Sequence, residues 1–202
     1  LGSAWVYKHS DSNEYVGNCH KIPQKEFTKE LVTVYQIKQS LIQIHQSIRQ
    51  VNTDCKIIFT ISPVRHIRDG VQDNNRSKAR LFETIQQLEE ADSSFYYFPA
   101  YELVVDVLRD YRFYDIDLVH PNYAATEFVV NHFLSSCLTP EAQELVQQIR
   151  KIKIAYKHKP QHSTSHAHQQ FLAQFLEKTL QLQQNFPFLN FEAELKHFEN
   201  KY

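Results

Sequence analysis

The chain has 202 residues, of which 42% are hydrophobic, and this is enough to bury one substantial core. Its 22 Lys and Arg residues nearly balance its 23 Asp and Glu residues, so no overall field draws it onto nucleic acid or an acidic membrane. Three glycines and three cysteines argue against a glycine-rich nucleotide loop, a disulfide framework and a four-cysteine zinc site. The few cysteines favour a reducing cytoplasm, and no apolar run predicts a membrane span.

The first half of the chain predicts an alternation of strands and helices. Residues 1–6 are typical of the inside of a strand, so we expect further residues upstream of them. Segment 31–52 repeats apolar residues every three or four positions and predicts an amphipathic helix. Segment 56–63 predicts a buried strand, 77–91 a second helix and 95–98 another strand. This order predicts an α/β fold with a parallel sheet that helices cover on both faces.

The second half is predicted to be mainly helical. Asn122 is placed to cap a helix that reaches about Cys137, and Pro140 to open another that reaches about Tyr156. A polar stretch broken by Pro160 follows and predicts a surface linker. We therefore expect an α/β domain over residues 1–157, and a linker with a helical appendage over residues 158–202.

Asp117 and His120 are the residues most suggestive of catalysis. An aspartate three positions before a histidine in a loop can accept the imidazole Nδ1 proton, which leaves Nε2 free to act as a base. The pair follows the last predicted strand and precedes a helix, at the sheet edge where open α/β folds place their sites. The alternative is a helix-capping Asp beside a surface His, because a chain with eleven histidines produces this spacing by chance.

Several strings, in one order along the chain, resemble the GSCFA-domain family, which is placed with the SGNH (GDSL-type) hydrolases. They are Leu1-Gly2-Ser3-Ala4-Trp5-Val6-Tyr7, Asn18-Cys19-His20-Lys21, Ile61-Ser62-Pro63-Val64-Arg65-His66, Asp69-Gly70, Ser77-Lys78, Tyr97-Phe98-Pro99-Ala100-Tyr101-Glu102, Leu108-Arg109-Asp110-Tyr111-Arg112-Phe113-Tyr114 and Asp117-Leu118-Val119-His120-Pro121. The resemblance implies a flavodoxin-like three-layer α/β/α fold. It also implies that a serine ending the first strand hydrolyses an ester, with His120 as base and Asp117 as its partner.

The family's nucleophile string, Gly-Ser-Cys-Phe-Ala, does not occur in these residues, so we expect the serine upstream of Leu1. An SGNH enzyme also has a Gly-x-Asn segment that donates to the oxyanion, and here alanine stands in the Asn position of Gly2-Ser3-Ala4. Asn18 is the best substitute as oxyanion donor, although a turn asparagine is an equal alternative. Ser3 is disfavoured as a nucleophile because it falls at the strand end opposite to the one that the resemblance to this family implies.

Arg65 and Arg112 are the predicted substrate-binding residues. Arg65 follows the strand that ends near Ser62 and can reach the sheet edge, where it would bind an acidic or sugar substrate; surface ion pairing is the alternative. Arg112 lies in the segment that leads to Asp117. The predicted substrate is a small-molecule or glycan ester, with no cofactor and no nucleic-acid partner, and the sequence is silent on oligomeric state.

Three other functions remain open from the sequence. Acyl transfer to a sugar hydroxyl would use the same residues as hydrolysis. A non-catalytic binding module would keep the cleft without the serine. A metal-dependent hydrolase could use the histidines of the linker region, although no carboxylate or cysteine completes their set: His158, His162, His166 and His168.

Overall fold

The computed structural model describes residues 1–16, 21–162 and 164–199. Its strands are β1 (Trp5–His9), β2 (Tyr15–Val16), β3 (Phe27–Leu31), β4 (Ile57–Phe59) and β5 (Phe95–Tyr97). Its helices are α1 (Val34–Arg49), α2 (Val71–Ala91), α3 (Ala100–Glu102, which continues as a π-helix over Leu103–Leu108), α4 (Tyr123–Cys137), α5 (Pro140–Lys157), α6 (His166–Asn185) and α7 (Glu192–Glu199). Contacts divide the chain into two compact units, residues 1–133 and 134–202.

The first unit contains a parallel pair of strands, β4 and β5, and the predicted α/β class is confirmed. The pair is aligned with Ile57 opposite Phe95 and Phe59 opposite Tyr97. The inner face packs with α1 and α2 around a core that includes Ile61, which is fully buried. Ile58 and Tyr96 point the other way and are 42% and 44% exposed, so helices cover one face more completely than the other.

The N-terminal segment departs from the predicted parallel sheet after its first residues. The Leu1 amino group donates to the Thr60 carbonyl, and the Ser62 amide donates to the Leu1 carbonyl, which is the bonding pattern of a parallel pair. From Trp5 onward, however, the chain forms β1, the central strand of an antiparallel sheet with order β2-β1-β3. Sequence periodicity did not predict this second sheet, and it forms one wall of the candidate site.

Helix α1 is confirmed but is shorter than predicted. It begins after Thr33, whose hydroxyl accepts from the Gln36 amide in a capping box, and it ends at Arg49. Val51, one of the apolar residues of the segment 31–52 that was predicted as this helix, is 92% exposed because it lies beyond the last turn. His45 is buried instead and packs against Phe95, with ring centroids 4.5 Å apart.

The second unit consists of α5, α6 and α7 with the end of α4. Helix α5 begins at Pro140 as predicted, after Thr139, whose hydroxyl accepts from the Ala142 amide. Contacts group α5 with the C-terminal helices, whereas the boundary expected from sequence, at 157/158, groups it with the α/β domain. The reason is that its apolar face is buried with α6 and α7 in one cluster: Ile152, Ala155, Leu172, Leu182, Phe191 and Phe198.

Candidate active site

Asp117 and His120 lie on a loop that is closed by its own backbone. Tyr114 and Pro121 form an antiparallel bridge, and the Asp115 amide donates to the His120 carbonyl at 2.8 Å. Leu118 takes a left-handed conformation, with φ of 57°, which turns the chain back so that residue 120 returns to residue 117. These contacts give the loop one conformation.

Asn122 attaches this loop to helix α4. Its side-chain amide donates to the carbonyls of Arg112 at 2.7 Å and Tyr114 at 3.3 Å, while its Oδ1 accepts from the Ala125 amide at 3.2 Å. The residue therefore caps α4, as the sequence predicted, and also fixes both ends of the loop. The loop and the helix start are held as one assembly.

The structure brings the Asp117 carboxylate into contact with the His120 ring. Asp117 Oδ2 lies 2.5 Å from His120 Nδ1, and Asp117 Oδ1 accepts from the backbone amides of Val119 and His120 at 2.9 Å each. Hydrogen bonds lower the pKa of Asp117 to about 2, and the largest contribution comes from the backbone amide of His120, followed by the His120 ring. An ionised carboxylate in this position holds the proton on Nδ1, and among the described residues nothing is bonded to Nε2.

Both side chains lie at the edge of a cavity of about 710 Å³ in the first unit. Solvent reaches them, since 46% of the Asp117 side chain and 60% of the His120 side chain are exposed. One wall comes from the antiparallel sheet and another from the segment after β4. The lining residues are Ser3, Trp5, Val6, Tyr7, Val16, Lys29, Val64, Arg65, His66, Ile67, Arg68, Asp69, Asp117, Val119 and His120.

An ion pair joins the two walls. Lys29 on β3 contacts Asp69, which lies in the short 3-10 turn Ile67–Asp69, and only 12% of the Asp69 side chain is exposed. The Lys29 ammonium also lies over the Trp5 ring, 4.7 Å from its centroid. Sequence analysis assigned none of these three residues to the site, because no local spacing relates positions 5, 29 and 69.

Lys78 on α2, which the sequence analysis listed only within a string that resembles the family, is a second feature of this region. The residue is 2% exposed, and its ammonium donates to the carbonyls of Gly2 at 2.7 Å and Ser62 at 2.6 Å. Desolvation lowers its pKa to about 8. A sequence signal did exist, since Lys78 precedes Leu81, Ile85 and Leu88 at spacings of three and four on the buried face of the helix.

Ser3 lines the cavity, but its hydroxyl has other partners. It accepts from the Trp5 amide at 3.0 Å and lies 3.2 Å from the Ser77 hydroxyl, which accepts from the Ala4 amide at 2.7 Å. These bonds fix the turn that leads into β1. A structural role therefore accounts for Ser3.

The other predicted site residues have different positions. Arg65 lines the cavity as expected. Arg112 is not brought to it: its side chain is 74% exposed, lies 3.6 Å from the Asp110 carboxylate and is placed over the Phe113 ring. Asn18, the predicted oxyanion donor, lies outside the described residues, as do Cys19 and His20.

The linker histidines do not gather into a metal site in the part of the chain that the structure describes. Within residues 1–16, 21–162 and 164–199, no group of three or more His, Cys, Asp or Glu side chains is placed to hold an ion. His158 and His168 instead contact the Phe171 ring. No described helix is both long enough and apolar enough to cross a membrane.

Fold and site together define an α/β protein with an open cavity that carries a histidine–carboxylate pair. The family model described as GSCFA family matches residues 1–133, and the model described as GSCFA domain protein, C-terminal domain, matches residues 149–202. The chain therefore belongs to the GSCFA family. Searches of the curated proteins and of the solved structures found no match.

Proposed function

We propose that this protein is a serine-dependent hydrolase of a carboxylic ester, such as an O-acyl group on a carbohydrate, and that it acts through an acyl-enzyme. The observation that carries the proposal is the 2.5 Å contact between Asp117 and His120 at the edge of a cavity large enough for a small ester. A carboxylate that stays ionised and a ring with a free Nε2 are what general-base activation of a hydroxyl requires.

The proposed reaction has two halves. His120 Nε2 takes the proton of a serine hydroxyl as its oxygen attacks the ester carbonyl, and the resulting imidazolium then protonates the departing alcohol. In the second half, His120 takes a proton from water as water attacks the acyl-serine, and returns it to the serine as the carboxylic acid leaves. Asp117 stays ionised throughout and stabilises the imidazolium that forms twice.

The proposal assigns the nucleophile to a serine that is not among these residues. Two arguments support this: the hydroxyl of Ser3 is bonded to the Trp5 amide, and the string that names the family carries a serine. The flavodoxin-like three-layer arrangement of SGNH hydrolases belongs to the same proposal, since a parallel strand next to β4 would bring its carboxyl end to this sheet edge. Asn18 remains the proposed oxyanion donor.

The proposal can be tested by assaying the full-length gene product, including residues upstream of Leu1, on a panel of 4-nitrophenyl esters of different acyl length. We expect His120→Ala to lower kcat/KM by roughly 10³-fold or more, because general-base catalysis is lost while binding is retained. His162→Ala is the matched control, since it removes an exposed imidazole of the second unit. Circular dichroism should show both variants folded.

Two outcomes would replace hydrolysis with another function. Turnover no faster than the uncatalysed reaction in both wild type and His120→Ala would favour a binding module that uses the cavity without chemistry, and equal catalysed turnover in both would show that His120 is not the base. Product formation that depends on an added sugar hydroxyl would favour acyl transfer. The 60% exposure of the His120 side chain favours hydrolysis, because water reaches the proposed base directly.

A further inference from the structure

The cavity has a different charge balance from the chain as a whole. The chain carries a formal net charge of −1. Among the described residues that line the cavity, three are cationic, Lys29, Arg65 and Arg68, and two are carboxylates, Asp69 and Asp117, which leaves an excess of one positive charge before either lining histidine is protonated. A local excess of this sign attracts anionic ligands.

Both carboxylates already have partners within the protein. Asp69 is paired with Lys29. Asp117 accepts from two backbone amides and contacts the His120 ring. Both carboxylates are therefore engaged by other groups, and among the described residues neither forms an ion pair with Arg65 or Arg68.

Arg65 and Arg68 have no ion-pair partner among the residues that the structure describes. In the described ranges 1–16, 21–162 and 164–199, neither guanidinium forms an ion pair or a hydrogen bond. A guanidinium presents a planar set of donors that matches a carboxylate or a phosphate, and such charge-assisted bonds are about twice as strong as neutral ones. Two unpaired guanidinium groups therefore line the same cavity as His120.

The backbone that carries the two arginines is held in place. The His66 amide donates to Oδ1 of Asn74, which is 4% exposed, and the Asp69 amide donates to the His66 carbonyl. The segment follows β4 at the carboxyl end of a parallel strand, where α/β folds bind their ligands. The positions of Arg65 and Arg68 thus depend on buried contacts and not on the exposed side chains themselves.

We infer that the substrate of this site carries an anionic group, a carboxylate or a phosphate, which Arg65 and Arg68 bind while the ester lies at His120. The substrate class rests on the proposed function, but anion binding by the cavity does not. A test of binding alone therefore separates failure of this inference from failure of the hydrolase proposal.

Trp5 provides that test, because it is the single tryptophan of the chain and it lines the cavity. Its fluorescence can be quenched by iodide, an anion, and by acrylamide, which is neutral. In the Arg65→Gln/Arg68→Gln variant, at fixed ionic strength, we expect iodide quenching to fall by roughly two- to threefold for each charge removed. This is about the change in local iodide concentration that Coulomb's law gives when iodide lies some 7 Å from a unit positive charge in water. Acrylamide quenching should not change.

Two matched variants control for changes in structure. Arg65→Lys/Arg68→Lys keeps both charges and should retain iodide quenching. Arg49→Gln removes a cation at the end of α1, outside the cavity, and should also leave it unchanged. Succinate and inorganic phosphate, added separately, should protect Trp5 from iodide, whereas glucose should not, and the more effective anion identifies the group that is recognised.

The inference is overturned if iodide quenches wild type and the double glutamine variant equally, or if neither anion protects Trp5. If the full-length protein also hydrolyses esters, the substrate class can be tested with 4-nitrophenyl acetate and the anionic mono-4-nitrophenyl succinate. We expect Arg65→Gln to raise KM for the succinate ester alone. Equal effects on both esters would contradict the role of the arginine in recognising an anion.

Discussion

Replacement of Lys78 by methionine should change how the stability of the first unit depends on pH. The variant leaves the carbonyls of Gly2 and Ser62 without their donor, at a cost of about 1–3 kcal/mol for each buried acceptor. It also removes a buried ammonium whose depressed pKa corresponds to about 3 kcal/mol at neutral pH. These opposing terms place Lys78→Met between about 1 kcal/mol more stable and about 3 kcal/mol less stable than wild type near pH 7.

The pH dependence follows from the sign of the shift. Lys78 has a folded pKa of about 8 against an ordinary value of 10.5, so the unfolded chain holds the proton more tightly and protonation opposes folding. Stability should therefore rise with pH across this interval, by about 2 kcal/mol between roughly pH 7 and roughly pH 9.5. Higher pH is avoided because burial raises the pKa of Tyr97, whose ionisation opposes folding.

Urea unfolding, followed by the fluorescence of Trp5 in the first unit, measures this difference. The free energy of unfolding of wild type should rise between roughly pH 7 and roughly pH 9.5. The free energy of unfolding of Lys78→Met should lack the part of this rise that comes from Lys78. Lys25→Met, which replaces an exposed lysine of the same unit, should follow wild type. Parallel curves for wild type and Lys78→Met would refute the argument that Lys78 is buried as a charged group.

Two further predictions concern the carboxylates of Asp117 and Glu194. The carbon-13 resonance of the Asp117 carboxyl should titrate near pH 2, so the contribution of Asp117 to stability is present above its ordinary pKa of 3.8 and is lost as the pH falls toward 2. In His120→Ala the pKa of Asp117 should rise only partly, because the backbone amides remain. A return of this pKa to 3.8 would contradict the prediction. Lys153→Met should destabilise the second unit by about 1–3 kcal/mol in thermal unfolding, because Glu194 is 3% exposed and loses its ion-pair partner. An unchanged unfolding midpoint would contradict this and show that water compensates the Glu194 carboxylate.

Local periodicity predicted which segments form helices and parallel strands, because apolar spacing and capping residues act over a few positions. It placed the start of α2 near residue 77, whereas the helix begins at Val71. Asn122 and Pro140 both lie at helix starts in the structure, as predicted. The contact between Asp117 and His120 was predictable for the same reason, since the two residues are three positions apart. The left-handed Leu118 that brings them together leaves no sequence signal, because it is neither Gly nor Asn.

Contacts between distant segments could not be read from the sequence. The antiparallel sheet of β1, β2 and β3 depends on pairing across irregular connections, and its strands are too short for a clear alternation. The ion pair of Lys29 with Asp69 spans 40 positions, and the bonds of Lys78 span as many as 76. Arg112 is not among the residues that line the cavity and lies 3.6 Å from its neighbour Asp110, so its role in substrate binding stays a prediction.

The central claim is that His120 activates a serine hydroxyl, and covalent labelling tests it most directly. The full-length gene product, treated with a fluorophosphonate and analysed by peptide mass spectrometry, should carry the adduct on one serine outside these 202 residues. The adduct should be lost in His120→Ala and retained in His162→Ala. Absence of any serine adduct in folded wild-type protein, or equal labelling in His120→Ala, would contradict the account.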